Sequence, residues 1–347
     1  MGKNTMTSGT SEPITSSQAP VKPKPWLRRF AKLTCAATLF LIFAGGMVTS
    51  TGSGLAVPDW PLSYGSFFPP MVGGVFYEHG HRMVASLVGF LMLTMAIWIG
   101  LKEERLWLRI TAFTALGAVI LQGVLGGITV LTMLPTPVSV MHGVLAQTFF
   151  LLTIFIAYAL SIERRLRPFQ KKGESGAFLR INLLFVALVY LQLILGAVMR
   201  HTESGLAIGD FPKMGGYWIP PMNEEMLNTI NIWRFEHNLD FVTIDQVYYH
   251  LFHRLGALLV LIGLCLLNYF GIKTYKGNKT VMRTLYCLDG VILLQITLGI
   301  ATVLSLKEPL ITSLHVVTGA ATLGLSFLLL LRTAPLSFKM FKEAVLS

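Results

Sequence analysis

Four of the eight histidines in this 347-residue chain form two pairs of nearly equal spacing: His81 with His142, 61 residues apart, and His253 with His315, 62 apart. Imidazole binds transition metals and carries protons near neutral pH. A lone histidine in apolar sequence is more often an interhelical hydrogen-bonding residue than a ligand. Two matched pairs are a different matter, because ionisable groups inside a membrane are costly and mark function. Imidazoles presented from facing helices suit a six-coordinate haem iron, with one ligand on each side of the ring. Zinc or copper would want a third or fourth ligand, and neither half of the chain offers one. His81, His142, His253 and His315 are therefore the expected haem-iron ligands. Arg82 and Arg254 directly follow the first member of each pair. They are read either as residues snorkelling to lipid headgroups or as partners of haem propionates.

The pairs differ in one position. Three residues before His81 stands Glu78, in "EHGHR", and three before His253 stands His250, in "HLFHR". Residues three apart share a helix face, so Glu78 is expected on the side of whatever His81 binds. A carboxylate there could complement the positive end of its helix. It could also take protons or steady developing charge beside one haem only. On the second reading the first half reacts and the second half holds a cofactor. His79 is expected to face a loop and His250 to support its neighbour, while His201 and His237 read as solvated loop residues.

Such residues need helices to carry them. The chain is 53% apolar and 13% charged, far too apolar for an ordinary soluble domain. It holds eight runs long enough to cross a bilayer: 27–49, 79–101, 109–132, 139–162, 178–199, 249–271, 281–304 and 310–332. All but six of the 28 lysines and arginines (Arg82, Arg200, Lys213, Arg234, Arg254, Lys307) fall on one side of this arrangement, which predicts that both termini are cytoplasmic. That asymmetry and anionic lipid account for the net charge of +11 without nucleic acid. Cys35, Cys265 and Cys287 each lie inside a predicted span, so they read as packing residues and predict no disulfide.

The spans repeat. "SGLAVPDWP" at 53–61 returns as "SGLAIGDFP" at 204–212, and the offset of 151 also pairs Gly45 with Gly196, Gly65 with Gly216 and Pro69-Pro70 with Pro220-Pro221. "HRM" at 81–83 matches "HRL" at 253–255 at an offset of 172, so an insertion follows Pro221. Gln122, Gly126, Thr129 and His142 pair with Gln295, Gly299, Thr302 and His315 at 173. An even number of spans in each half makes the repeat parallel. The expected fold is an all-α membrane protein of eight transmembrane helices, arranged as two tandem four-helix bundles related by a pseudo-twofold axis. Its parts are a disordered tail (1–26), a first half (27–165) with the substrate site and a linker (166–177). A second half (178–332) carries the cofactor site and an amphipathic outer insertion (222–247), and a tail (333–347) ends the chain. Asp59 and Asp210 are expected to close turns. Gly126, Gly127, Gly299 and Ala301 are expected to let helices approach closely.

After residue 27 nearly the whole chain resembles the haem A synthases of cytochrome oxidase assembly, found in bacterial and mitochondrial inner membranes. The likeness rests on "TGSGLAVPDWP", "EHGHR", "QGVLGGITVL", "MHGVLAQ", "HRLGA" and "LHVVTGA". It implies an oxidoreductase of the bacterial inner membrane that turns a methyl group of haem O into the formyl group of haem A by successive hydroxylation and loss of water. Haem b in the second half would relay electrons. His81 and His142 would then face the substrate haem, Glu78 would be the catalytic carboxylate, and His253 and His315 would ligate haem b. Implied partners are haem O synthase, oxidase assembly factors, membrane lipid and an electron acceptor. The chain departs from some relatives in lacking a cysteine pair in its first outer loop, and from many in having Thr49 where an arginine precedes the first phrase, a place that Arg200 keeps in the second copy. A non-enzymatic di-haem electron-transfer cytochrome and a haem carrier are the competing functions.

Overall fold

The computed structural model describes residues 24–166 and 176–335, and the expectations for the two tails and the linker fall outside it apart from their margins. Eight helices are long and apolar enough to cross a membrane. They are α1 (Pro25–Ser50), α2 (Gly74–Lys102), α3 (Leu106–Leu131), α4 (Thr136–Ala159), α6 (Gly176–His201), α8 (Ile244–Tyr275), α9 (Lys279–Leu304) and α10 (Pro309–Thr333), with the short α5 (Ile162–Leu166) after α4 and α7 (Glu224–Glu236) between α6 and α8. Both sides of the long helices are apolar. On α2, Val88, Met92, Met95 and Ile99 are buried in protein while Leu87, Phe90, Leu93 and Ile97 point outward. A helix that is hydrophobic all round has lipid as its solvent.

Local chemistry sets the helix ends. Proline opens α1 and α10, where a missing N–H costs nothing. The Glu308 carboxylate accepts from Ile311 N–H at 2.8 Å, and Thr243 with Gln246 closes a capping box at the start of α8. Helices α2 and α8 begin more than a turn earlier than the apolar runs predict, at Gly74 and Ile244. Glu78, His79 and His250 are helical and buried, because the loops after α1 and α6 fold over them and supply the polar partners that water would otherwise give. His81 and His253 consequently lie about two turns inside their helices, deeper than the apolar runs predict.

In the first half α1 packs on α2, α2 on α3, α3 on α4 and α4 back on α1; in the second half α6, α8, α9 and α10 close the same ring. The halves meet along α1 with α10, α4 with α6, and α4 with α10. Exchanging the halves maps these contacts onto one another, as a twofold axis between α4 and α10 requires. Loop details fit the same duplication. Met133 and Leu134 between α3 and α4 have positive φ, as do Leu306 and Lys307 between α9 and α10. The bridge between Ser63 and Ser66 matches that between Met214 and Tyr217. Both phrases have a cis peptide before their proline, at Pro61 and at Pro212. Polar ties join the halves at both ends of the bundle: the Arg200 guanidinium donates to Gly46 O at 2.8 Å and Ser50 Oγ at 2.9 Å, and Arg332 forms a two-pronged pair with Glu163.

Candidate functional site

The repeated phrases fold into caps over the histidine-bearing ends of the helices, and aspartate shapes each one. Tyr64 N–H and Gly65 N–H donate to the Asp59 carboxylate at 2.7 and 2.8 Å, and Gly215 N–H and Gly216 N–H donate likewise to Asp210. Gly65 and Gly216 have φ of 66° and 85°, which glycine adopts without steric cost. The N–H groups of Gly65 and then Tyr64 hold the Asp59 carboxyl below its usual range. A group whose folded value is lowered stabilises fully above its unfolded value, about 4 for aspartate, and that stabilisation is lost as pH falls through the folded value. Acid is thus expected to loosen the 53–66 loop, with Asp59→Asn abolishing the pH dependence in limited proteolysis. A loop that opens in acid equally in both proteins would contradict this role.

Beneath each cap an arginine and its partner four residues earlier form a clamp. The Arg82 guanidinium donates to the carbonyls of Val57, Asp59 and Leu62 at 3.0, 2.7 and 2.7 Å and to Glu78 Oε1 at 2.6 Å. The second Glu78 oxygen accepts from Val57 N–H at 2.7 Å, and the residue is 3% exposed. In the second half Arg254 donates to the carbonyls of Ile208, Asp210 and Lys213 and to His250 Nε2 at 3.1 Å, and Ile208 N–H points at His250 Nδ1 at 3.2 Å. Glu78 and His250 therefore hold equivalent places between a loop N–H and an arginine. A carboxylate accepts from both donors, whereas a neutral imidazole has one acceptor nitrogen. Glu78 has a structural use independent of chemistry, so its presence alone does not separate an enzyme from an electron carrier. Most donors of Arg82 and Arg254 serve the caps, which leaves each guanidinium one N–H with no acceptor among the described residues.

Each imidazole of the two pairs lies on a glycine of the neighbouring helix. A Cβ built on Gly45, Gly126, Gly196 or Gly299 would come 3.0, 3.2, 3.1 or 2.9 Å from Cε1 of His81, His142, His253 or His315 respectively. Four glycines in repeated positions thus clear room for four rings. Of these, Gly126 and Gly299 are expected from the sequence as helix-packing residues, and they recur in register with His142 and His315; Gly45 and Gly196 are marked there only as a repeated pair. Gly127 has another use, since its Cβ would fall 2.6 Å from the Trp60 ring.

The structure brings the predicted pairs together. The His253 and His315 ring centroids are 6.5 Å apart with planes at 77°, and His81 lies within electrostatic reach of His142. At ~2 Å from each imidazole nitrogen to a shared metal, two rings on opposite sides have centroids about 6 Å apart, so His253 and His315 fit one iron between them. His315 Nδ1 lies 3.1 Å from Gln295 O, the partner expected when Nε2 is the ligand. No group of three or more His, Cys, Asp or Glu side chains with metal-binding geometry occurs among the described residues.

The remaining histidines divide. His79 is buried and faces the cap, its Nδ1 2.8 Å from Ser63 Oγ. His237 is exposed and stacks on Trp233 at 4.2 Å. His201 is not a solvated loop residue as expected: it closes α6, is half-buried, and its carbonyl accepts from Thr136. The insertion's helix α7 buries Met226 and Ile230 against Ala207, Ile208, Val242 and Val247. Arg234 donates to Leu206 O at 2.8 Å. The Trp233 ring occupies the space a Cβ on Gly209 would need, which explains why glycine stands where the first copy has Pro58.

The chain is similar in sequence to known proteins. The sequence matches the family described as cytochrome oxidase assembly protein, COX15-CtaA, over residues 28–73 and 72–328. It is 27% identical over 296 residues to "Heme A synthase" of Halalkalibacterium halodurans, covering 83% of this chain and 91% of that one. The protein of the same name from Methylobacterium sp. is 28% identical over 366 residues, covering 92% and 97%, and that of Bacillus licheniformis is 30% identical over 291, covering 80% and 86%. With the family pattern spanning all eight membrane helices and both histidine pairs, the chain belongs to the COX15-CtaA family of cytochrome oxidase assembly proteins.

Proposed function

We propose that this protein is a haem A synthase, an oxidoreductase that converts haem O to haem A by oxidising one methyl substituent to a formyl group. The observation that carries the reading is the pair of equivalent bis-imidazole sites, each on its own glycine cradle, in a chain similar over most of its length to proteins named "Heme A synthase". Methyl to formyl removes four electrons and adds one oxygen atom, so the reaction needs a binding site for the substrate macrocycle and a route by which electrons leave. His81 and His142 bind the substrate haem; His253 and His315 hold haem b, which when bound supplies the electron route. Gly45 and Gly126 set the depth of the substrate-binding rings. Glu78, fixed by Val57 N–H and Arg82, is the catalytic carboxylate that takes the protons released at the methyl carbon. The one spare N–H on Arg82 and on Arg254 is directed to a propionate. Lys and Arg distribution supports a bacterial plasma-membrane protein with both termini in the cytoplasm and the caps outside.

The competing reading, a di-haem electron-transfer cytochrome, is favoured by the clamp that engages both Glu78 oxygens. Expression in a host that makes haem O but has no haem A synthase separates them. Chromatography of membrane haems is expected to reveal haem A. Haem O persisting unchanged beside protein that carries haem b would overturn the assignment.

A further inference from the structure

The two halves differ in what their paired histidines touch. Gln192 on α6 donates through Nε2 to His253 O at 2.9 Å, and the same nitrogen lies 3.1 Å from His253 Nδ1. Its amide oxygen fills the place of a side chain on α8: a Cβ on Gly256 would fall 2.0 Å from it. At the repeat offsets, Gln192 corresponds to Leu41 and Gly256 to Val84, two apolar side chains packed on the first half's core. A polar residue and the glycine that makes room for it have replaced two hydrocarbons together. In the second half both Nδ1 atoms have neighbours, Gln192 for His253 and Gln295 O for His315. In the first half, Nδ1 of His81, the counterpart of His253, is buried without a partner among the described residues.

An imidazole that binds metal through Nε2 carries its proton on Nδ1, and an acceptor there fixes the ring and strengthens it as a donor; losing that partner costs about 10–100-fold in metal affinity. From this we infer that Gln192 is a positioning residue that makes the second half a haem-retaining site, and that the apolar pair Leu41 and Val84 keeps the first half exchangeable. A half-turn of the Gln192 amide interchanges Nε2 and Oε1 and presents the oxygen to Nδ1–H in exchange for the present bond from Nε2 to His253 O. A substrate site must release its product, whereas a relay must keep its cofactor. The inference rests on the proposed placement of haem b in the second half.

The test copies one half into the other in the full-length, haem-loaded protein. Gln192→Leu with Gly256→Val restores the first half's own packing, so the cavity stays filled. It is expected to lose haem b about tenfold more readily during detergent purification and to raise the reduction potential of what remains, since a weaker donor favours ferrous iron. Gln192→Glu keeps an acceptor and is expected to restore retention. The reciprocal Leu41→Gln with Val84→Gly is expected to increase the haem O and haem A that copurify. Unchanged haem b retention and potential in the first double variant, or no rise in copurifying haem in the second, would overturn the role of Gln192. If His253→Leu also keeps its haem b, the placement of that haem fails; if His253→Leu strips it while the Gln192 variant does not, only the present inference fails.

Discussion

Glu78→Gln and Glu78→His are expected to lower haem A formation by about 10²–10⁴-fold, the usual cost of removing a general acid or base, while leaving haem b content and folding intact. The choice of substitution matters because Glu78 also anchors the first cap. Glu78→Ala would strand the Arg82 guanidinium and Val57 N–H beneath the loop, and breaking a buried ion pair from one side costs about 3–5 kcal/mol; lost activity would then say nothing about chemistry. Glutamine keeps the size and one acceptor. Histidine reproduces what the protein already uses at position 250, where an imidazole sits between Ile208 N–H and Arg254. Normal haem A formation in both variants would show that Glu78 serves the loop alone. The readout is the ratio of haem A to haem O in membranes, set against haem b in the purified protein.

The second large effect is a crossed pattern among the four histidines. Leucine fills space without offering a lone pair, so His253→Leu or His315→Leu is expected to cut haem b by more than about tenfold, a floor set by the cost of losing only a ligand's hydrogen-bond partner. Haem A formation should fall with it, since electrons lose their route. His81→Leu or His142→Leu should leave the haem b spectrum in place while haem O and haem A no longer copurify. A full low-spin haem b spectrum after either second-half substitution would contradict the assignment, as would loss of haem b after a first-half one.

Much of this could be read from the chain before its structure. The eight helices follow from apolar runs that no soluble fold needs, and the paired histidines from a spacing kept across a duplication. What escaped notice depends on contacts between segments far apart in sequence. The first turns of α2 and α8 are too polar to be recognised by hydropathy; they are helical because the caps bury Glu78 and His250. The arginines' hold on the caps was not legible because the carbonyls they clamp belong to loops 20 or more residues away. Gly45, Gly126, Gly196 and Gly299 were visible as repeats, but their use required knowing which ring lies over each. The amphipathic insertion was legible as a helix, while its task of holding the second cap through Trp233 on Gly209 and Arg234 on Leu206 was not. Gln192 and Gly256 are the plainest case. Each is an ordinary residue by itself, and only their adjacency exposes the exchange with Leu41 and Val84.

The central claim is that one half holds a substrate haem and the other a resident haem b. Extraction and chromatography of the haems bound to protein purified from a host that makes haem O tests it most directly. The account predicts haem b in about equal amount to the protein, together with haem O and haem A sharing the other site. Haem b alone, filling both sites, would contradict it and leave an electron-transfer cytochrome in its place.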